Sequence, residues 1–238
     1  MSHLHIPDGL LSPWWWVSGL ALALILLVRA SRLAREASPQ RIAYQGALGA
    51  LMLAAMSIPL GPFEYHLTLA GPMGVLLGGA GSFQVAFIVS LILAFMGHGG
   101  LTVVALNALL LGTAAAIARR AFAALRPRLR ADRALALATA AGQAVAGLLW
   151  LMLVTAALRS PVVVTGAAAS ERTQLTPIVA LGIPLWLIGI AAEGLVAYGI
   201  GRFLNRVHPA LLAPEAGMAP GDSPPPLPQG PPVVGDPA

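Results

Sequence analysis

Four of the five histidines in this chain, His3, His5, His66 and His98, fall in or beside breaks between long apolar runs, and two of them stand within five residues of the amino terminus. Imidazole is the commonest metal ligand in proteins. Taken singly, each of these residues reads as an interfacial histidine making ordinary hydrogen bonds; their convergence from separate loops on one predicted face points to metal. A histidine next to a free amino terminus offers the terminal amine, an intervening amide nitrogen and its own imidazole as fused chelate rings. A fourth nitrogen from His66 would complete a square plane, the geometry of nickel(II) and copper(II). Such a site sheds protons as it binds and so weakens in acid. Cysteine is absent, which excludes disulfides, thiolate ligands and thiol nucleophiles and leaves nitrogen and oxygen as donors.

The elements that must carry these donors are set by the solvent of the chain. Of 238 residues, 58% are hydrophobic and 10% charged, against about 25% charged in a soluble domain. This is the composition of a membrane protein. All 14 basic residues are arginine and the formal charge is +5, but the arginines lie between apolar segments rather than in a stripe interleaved with aromatics. They read as orientation in a bilayer, and nucleic acid is excluded as a partner. No basic region precedes the first apolar stretch, so no removed signal peptide is expected.

A helix needs about 20 apolar residues to cross a bilayer. Candidate spans run over Trp14–Val28, Ile42–Leu60, Leu135–Leu158 and Ile178–Leu204. The run from Thr68 to Ala118, punctuated by Gly78, Gly79, Gly81 and the GHGG of residues 97–100, is expected to hold three segments, the first of them short. The predicted fold is therefore all-α, a polytopic helical bundle of about seven transmembrane segments. Arginine-rich Arg29–Arg41 and Arg119–Arg133 are assigned to the cytoplasmic side. That puts the amino terminus, the loop around His66 and the GHGG turn outside, with the carboxyl terminus inside. Residues 1–212 form the membrane domain. Residues 213–238, rich in proline and glycine, form a disordered cytoplasmic tail.

The motif HIPDGLLS, from His5, resembles the opening of the membrane-embedded substrate-binding subunits of cobalt and nickel energy-coupling-factor transporters, the CbiM/NikM family, which usually begins Met-His-Ile-Pro-Asp/Glu-Gly. YHLTLAGPMGVLLG around His66 resembles a later loop of that family. GHGGLTVVALNALLLG, with Asn107, and GIAAEGLVAYGIGRFLNRVHPALL, with Glu193, resemble further segments, so the likeness runs in order over roughly residues 4–212. The resemblance implies a metal site built from the terminal amine, the second-residue histidine and the loop histidine, here His5 and His66. His98, Asn107 and Glu64 are expected to support it from outside.

One departure concerns the opening. Histidine should be residue two, but Leu4 precedes His5 and three further residues precede Leu4. Translation can begin at Leu4, read as initiator methionine; the initiator can be removed ahead of Ser2, leaving His3 second; or Met1-Ser2-His3 can stay intact. The first is favoured because Ile6-Pro7-Asp8-Gly9 is registered to His5. A second departure is Leu110, where the family often has another asparagine. Asp8 is expected in a turn or helix cap, and Glu193 in a structural hydrogen bond. Gly46, Ala50 and Ala54 form a small-residue face that suits either a coupling subunit or internal packing.

The expected function is capture of Co²⁺ or Ni²⁺ as transported substrate, with no permanently bound cofactor and no enzymatic activity. No GxxxxGK[ST] phosphate loop occurs. Energy must then come from partners, which the resemblance implies are two cytoplasmic ATPase subunits, a transmembrane coupling subunit and a small accessory membrane subunit. The location is the bacterial plasma membrane. A self-sufficient secondary transporter is the alternative, but it needs ionisable residues along its path, and Glu193 alone clearly qualifies.

Overall fold

The computed structural model describes residues 6, 8, 9, 11–33, 38–60, 65–159 and 175–213. Its helices are α1 (Pro13–Leu33), α2 (Pro39–Ser57), α3 (Ala70–Phe95), α4 (Val104–Leu125), α5 (Ala131–Arg159) and α6 (Leu175–Val207), followed by a 3-10 turn at Pro209–Leu212. Leu60 and Tyr65 make an isolated antiparallel bridge. All the helices except α2 are long and apolar enough to cross a membrane. Their outer faces expose large side chains such as Ile25, Ile188 and Leu195, which lipid accepts and water would not.

Helix ends follow local chemistry. Ser38 starts α2: its Oγ accepts the Arg41 N–H at 3.3 Å, and Pro39 follows in the first turn, where a missing N–H costs nothing. The same helix stops at Ser57 rather than at Leu60 as expected, because Pro59 drives Ile58 into extended backbone (φ −98°, ψ 112°). At the other limit, α1 runs past Val28 through Arg29 and Arg32, whose exposed side chains reach from a helix end to the interface.

The run from Thr68 to Ala118 folds differently from a plain succession of helices. Gly78 breaks α3 with φ 72°, ψ 177°, a left-handed region that glycine enters without penalty. Unbroken, the 26 residues of α3 would span about 39 Å. Yet Leu69 and Ala70 at its start share one core cluster with Leu93 near its end, so the chain reverses at Gly78. The short arm, residues 70–77, is about 12 Å long and the long arm, residues 79–95, about 25 Å. The short first segment expected from sequence is this arm, and it cannot cross a hydrocarbon core of about 30 Å alone. Counting both arms, the described residues hold seven helical segments in six helices.

Glycines let this re-entrant hairpin close on α4, and α4 close on α5. A Cβ on Gly74 would stand 2.1 Å from the Ala115 carbonyl oxygen, and one on Gly142 2.4 Å from that of Ala114. Backbone-to-backbone approach of this kind is how helices pack in lipid. At the arginine-rich end of the bundle, Val75 joins Phe122, Ala131, Leu135 and Leu212 in a second cluster. The Leu212 carbonyl accepts from Arg126 Nε at 3.1 Å, which ties the 3-10 turn after α6 to the end of α4.

Candidate metal centre

His98 is placed by a helix terminus. Gly97, at φ 83°, ends α3 in the left-handed conformation. The His98 N–H then donates to the Leu93 carbonyl at 2.8 Å and the Gly97 N–H to that of Ala94 at 3.1 Å. This is the Schellman closure, and it turns the histidine back toward the bundle.

His66 lies on the extended stretch between the Leu60–Tyr65 bridge and α3. Non-helical backbone at membrane depth survives only where protein groups satisfy it, and here they come from α5 and α6. The Tyr65 hydroxyl donates to the Gly189 carbonyl at 3.2 Å. The Thr68 N–H donates to Glu193 Oε1, and Gln143 Nε2 donates to the Thr68 hydroxyl, which also accepts the Ala70 N–H at 3.3 Å. Leu69 follows at φ 53°, a conformation costly for a residue with a Cβ. Glu193, 1% exposed, therefore anchors the segment that carries His66. The expected structural hydrogen bond is what its Oε1 makes.

The amino-terminal segment meets the same place. Ile6 is fully buried against Leu11, Val103, Leu106 and Leu110. Its N–H donates to Asn107 Oδ1 at 2.9 Å, Asn107 Nδ2 returns to its carbonyl at 3.5 Å, and the Gly100 N–H donates to that carbonyl at 3.3 Å. Two residues on, the Asp8 carboxylate accepts the Leu101 and Thr102 N–H groups at 2.8 and 2.9 Å and the Thr102 hydroxyl. Asp8 thus caps the turn that leads into α4. Burial pushes its pKa up, but the Thr102 hydroxyl and the Thr102 and Leu101 N–H groups outweigh it, and the net pKa is lowered. Gly100 is required by proximity: a Cβ there would sit 2.3 Å from Asp8 Oδ1.

These restraints bring His66 and His98 into edge-to-face contact, ring centroids 5.7 Å apart and planes at 79°. His66 is buried and His98 half-buried. Among the described residues no three metal-ligating side chains converge. His3, Leu4, His5 and Glu64 lie outside the described residues. Asn107 holds the backbone of Ile6 rather than His66. Leu110 packs on the Ile6 cluster as an apolar residue, so its position asks for packing and not for hydrogen bonding.

Thr68, Leu69 and Gln143 escaped the sequence reading. Gln143, a lone amide in the apolar run of α5, is conspicuous by the reasoning that singled out Glu193; the left-handed Leu69 has no composition cue. Among the described residues nothing packs on the small-residue face of α2: Gly46, Ala50 and Ala54 are all exposed, and no described atom lies within 4 Å of a Cβ on Gly46.

Comparison with known proteins adds three findings. Two solved structures share the fold. One, described as a transition metal transporter, has a TM-score of 0.62 at 16% identity, covering 85% of this chain and 93% of its own. The other, a truncated transition metal transporter, has a TM-score of 0.63 at 16% identity, covering 86% and 99%. No curated protein matches the chain. The family model for the cobalt uptake substrate-specific transmembrane region matches residues 5–211, from His5 to within a residue of the buried Leu212. With that model spanning residues 5–211 of 238, the protein belongs to the CbiM family, a multi-pass membrane component of cobalt uptake and not an enzyme.

Proposed function

We propose that the chain is the substrate-capture subunit of an ATP-driven importer of the energy-coupling-factor type. It takes Co²⁺ or Ni²⁺ from the outer face through its terminal amine, His5 and His66. The observation that carries this is the clamp on Ile6. Asn107 and Gly100 fix the backbone one residue after His5, and Gly100 belongs to the same GHGG loop as His98, whose ring meets His66.

In this reading translation begins at Leu4, so that the first two residues supply amine, amide and imidazole nitrogens. The family match beginning at His5 supports that register. His98 acts beside His66 as an orienting neighbour, and Glu64 as a loop acceptor. Arginine-rich Arg119–Arg133 faces the cytoplasm and the amino terminus faces out. With no phosphate loop in the sequence, work on the ion comes from two cytoplasmic ATPases acting through a membrane coupling subunit. The exposed Gly46, Ala50 and Ala54 offer that coupling subunit a close-packing face, and a small accessory membrane subunit completes the complex.

Metal binding by the purified chain is the test. His66→Ala should abolish high-affinity binding of Co²⁺ and Ni²⁺, and acetylation of the α-amine should do the same. An acetylated protein that holds its ion in unchanged coordination removes the amine from the site. Uptake that persists in cells without the ATPases would instead make the chain a self-sufficient secondary transporter.

A further inference from the structure

A cavity of about 190 Å³ opens at the arginine-rich end of the bundle, lined by Arg130, Asp132, Tyr198, Arg202, Asn205 and Arg206. Here α6 comes close to the start of α5: a Cβ on Gly201 would stand 2.9 Å from the Asp132 Cα. That approach sets the last turns of α6 against the α4–α5 turn. Asp132, 3% exposed, is committed to Arg130 at 3.4 Å and to the Arg133 N–H at 2.9 Å. Arg202 and Arg206 have no carboxylate partner among the described residues. Two cations thus face a polar cavity whose one acid is already engaged, and the cavity is complementary to an anion.

The neighbouring stripe of α6 says what the anion is attached to. Tyr198, Arg202 and Arg206 recur every four residues along one face. Leu195, Phe203 and Val207 lie on the adjoining face, 72%, 62% and 62% exposed. A polar pocket at the interfacial end of two spanning helices, continuous with an uncovered apolar stripe, fits a phosphate joined to acyl chains. The geometry points to a binding site for the headgroup of an anionic phospholipid of the cytoplasmic leaflet. Arg202 and Arg206 grip the phosphate, and the Leu195–Phe203–Val207 stripe carries the chains. Free inorganic phosphate shares the headgroup chemistry but makes no use of the stripe.

Native mass spectrometry of the full chain, offered phosphatidylglycerol or phosphatidylcholine of identical acyl chains, tests this. The wild type should retain one phosphatidylglycerol and discriminate against phosphatidylcholine. Each arginine near an anionic headgroup is worth a factor of about five, so Arg202→Gln with Arg206→Gln should weaken retention about 25-fold. Should that double variant fold poorly, Arg206→Gln alone, at the exposed last turn, should weaken it about fivefold. Phe203→Ala should weaken phosphatidylglycerol while leaving binding of inorganic phosphate unchanged. Equal retention by the arginine variants overturns the assignment. So does phosphate binding as tight as that of the lipid, which makes the cavity a site for free anions only.

Discussion

The imidazoles of His66 and His98 stand edge to face with centroids 5.7 Å apart, although the whole 26-residue α3 separates them in sequence. The contact exists because α3 turns back on itself at Gly78, and the site depends on that one backbone conformation far from either ring. Gly78→Ala places a Cβ at φ 72°, ψ 177°, a region essentially reserved for glycine, at a cost of about 1–3 kcal/mol. The new methyl would also meet the Arg119 guanidinium at 2.4 Å, though a flexible side chain can swing away. Thermal unfolding in detergent should show the loss, with metal affinity lowered because the two histidines no longer register. A Gly78→Ala variant as stable as wild type would show that the reversal does not rest on this glycine.

Glu193 and Thr68 form the second relationship on which His66 depends. Glu193→Leu leaves the buried Thr68 N–H unpaired, at a cost of about 1–3 kcal/mol. Releasing the segment that carries His66, the proposed ligand, should also lower metal affinity about 10–100-fold. Glu193→Gln keeps an acceptor oxygen for the same N–H and should retain most of both. Calorimetric titration with Ni²⁺ beside an unfolding curve separates the effects. If Gln fails as badly as Leu, the charge itself matters and the anchoring role is incomplete.

Much of this was legible in the sequence because apolar run length and arginine placement report directly on lipid and its interfaces. The helices at 13–33, 131–159 and 175–207 fall where hydropathy put spans, and the GHGG break does mark a turn. Hydropathy is blind to direction, however. Thr68–Leu77 and the arm after it are equally apolar whether they run on or fold back, and only the φ of Gly78 decides. The histidine pair was legible as residue type, while its supports were not. Gln143 and Glu193 lie 75 and 125 residues from Thr68 in sequence, and nothing in periodicity couples them. Asp8 was legible as a cap because an acid between proline and glycine suits one; its partners Leu101 and Thr102, just past GHGG, emerged only from the fold.

Asn107 tests the clamp on the amino terminus separately from the ligands. Its side chain meets both polar groups of Ile6, a residue with no exposed surface. Asn107→Leu should strand a buried N–H at a cost of about 1–3 kcal/mol. Hydrogen exchange should then show faster exchange at Ile6 and Gly100 with little change in the protection of α5. Metal should dissociate faster while the chemistry of its coordination stays the same, since in the proposed site Asn107 places the chelating end through the Ile6 backbone and is not a ligand. An altered ligand-field spectrum would make Asn107 a ligand after all.

Asp8 fixes how the same clamp responds to acid. Its pKa in the folded protein lies below the ordinary value, since the bonds from Thr102 and Leu101 outweigh the effect of burial. A lowered carboxylate contributes its stabilisation fully above the unfolded value of about 4 and loses it as pH falls through the still lower folded one. Between pH 5 and 8 Asp8 is therefore constant, and the segment stays docked by its carboxylate. Ligand protonation behaves otherwise: imidazole and the α-amine both take up protons across the neutral range, so metal should be released well before the clamp opens. Metal titrations from pH 8 down to 5, paired with a fluorophore or exchange probe near Ile6, should give two separated transitions. Affinity should fall first, and undocking should follow only below about pH 4. Asp8→Asn should weaken docking at neutral pH and remove the acid undocking step, leaving the metal transition in place. A single transition shared by both probes would mean that the ligands, and not Asp8, hold the amino terminus down.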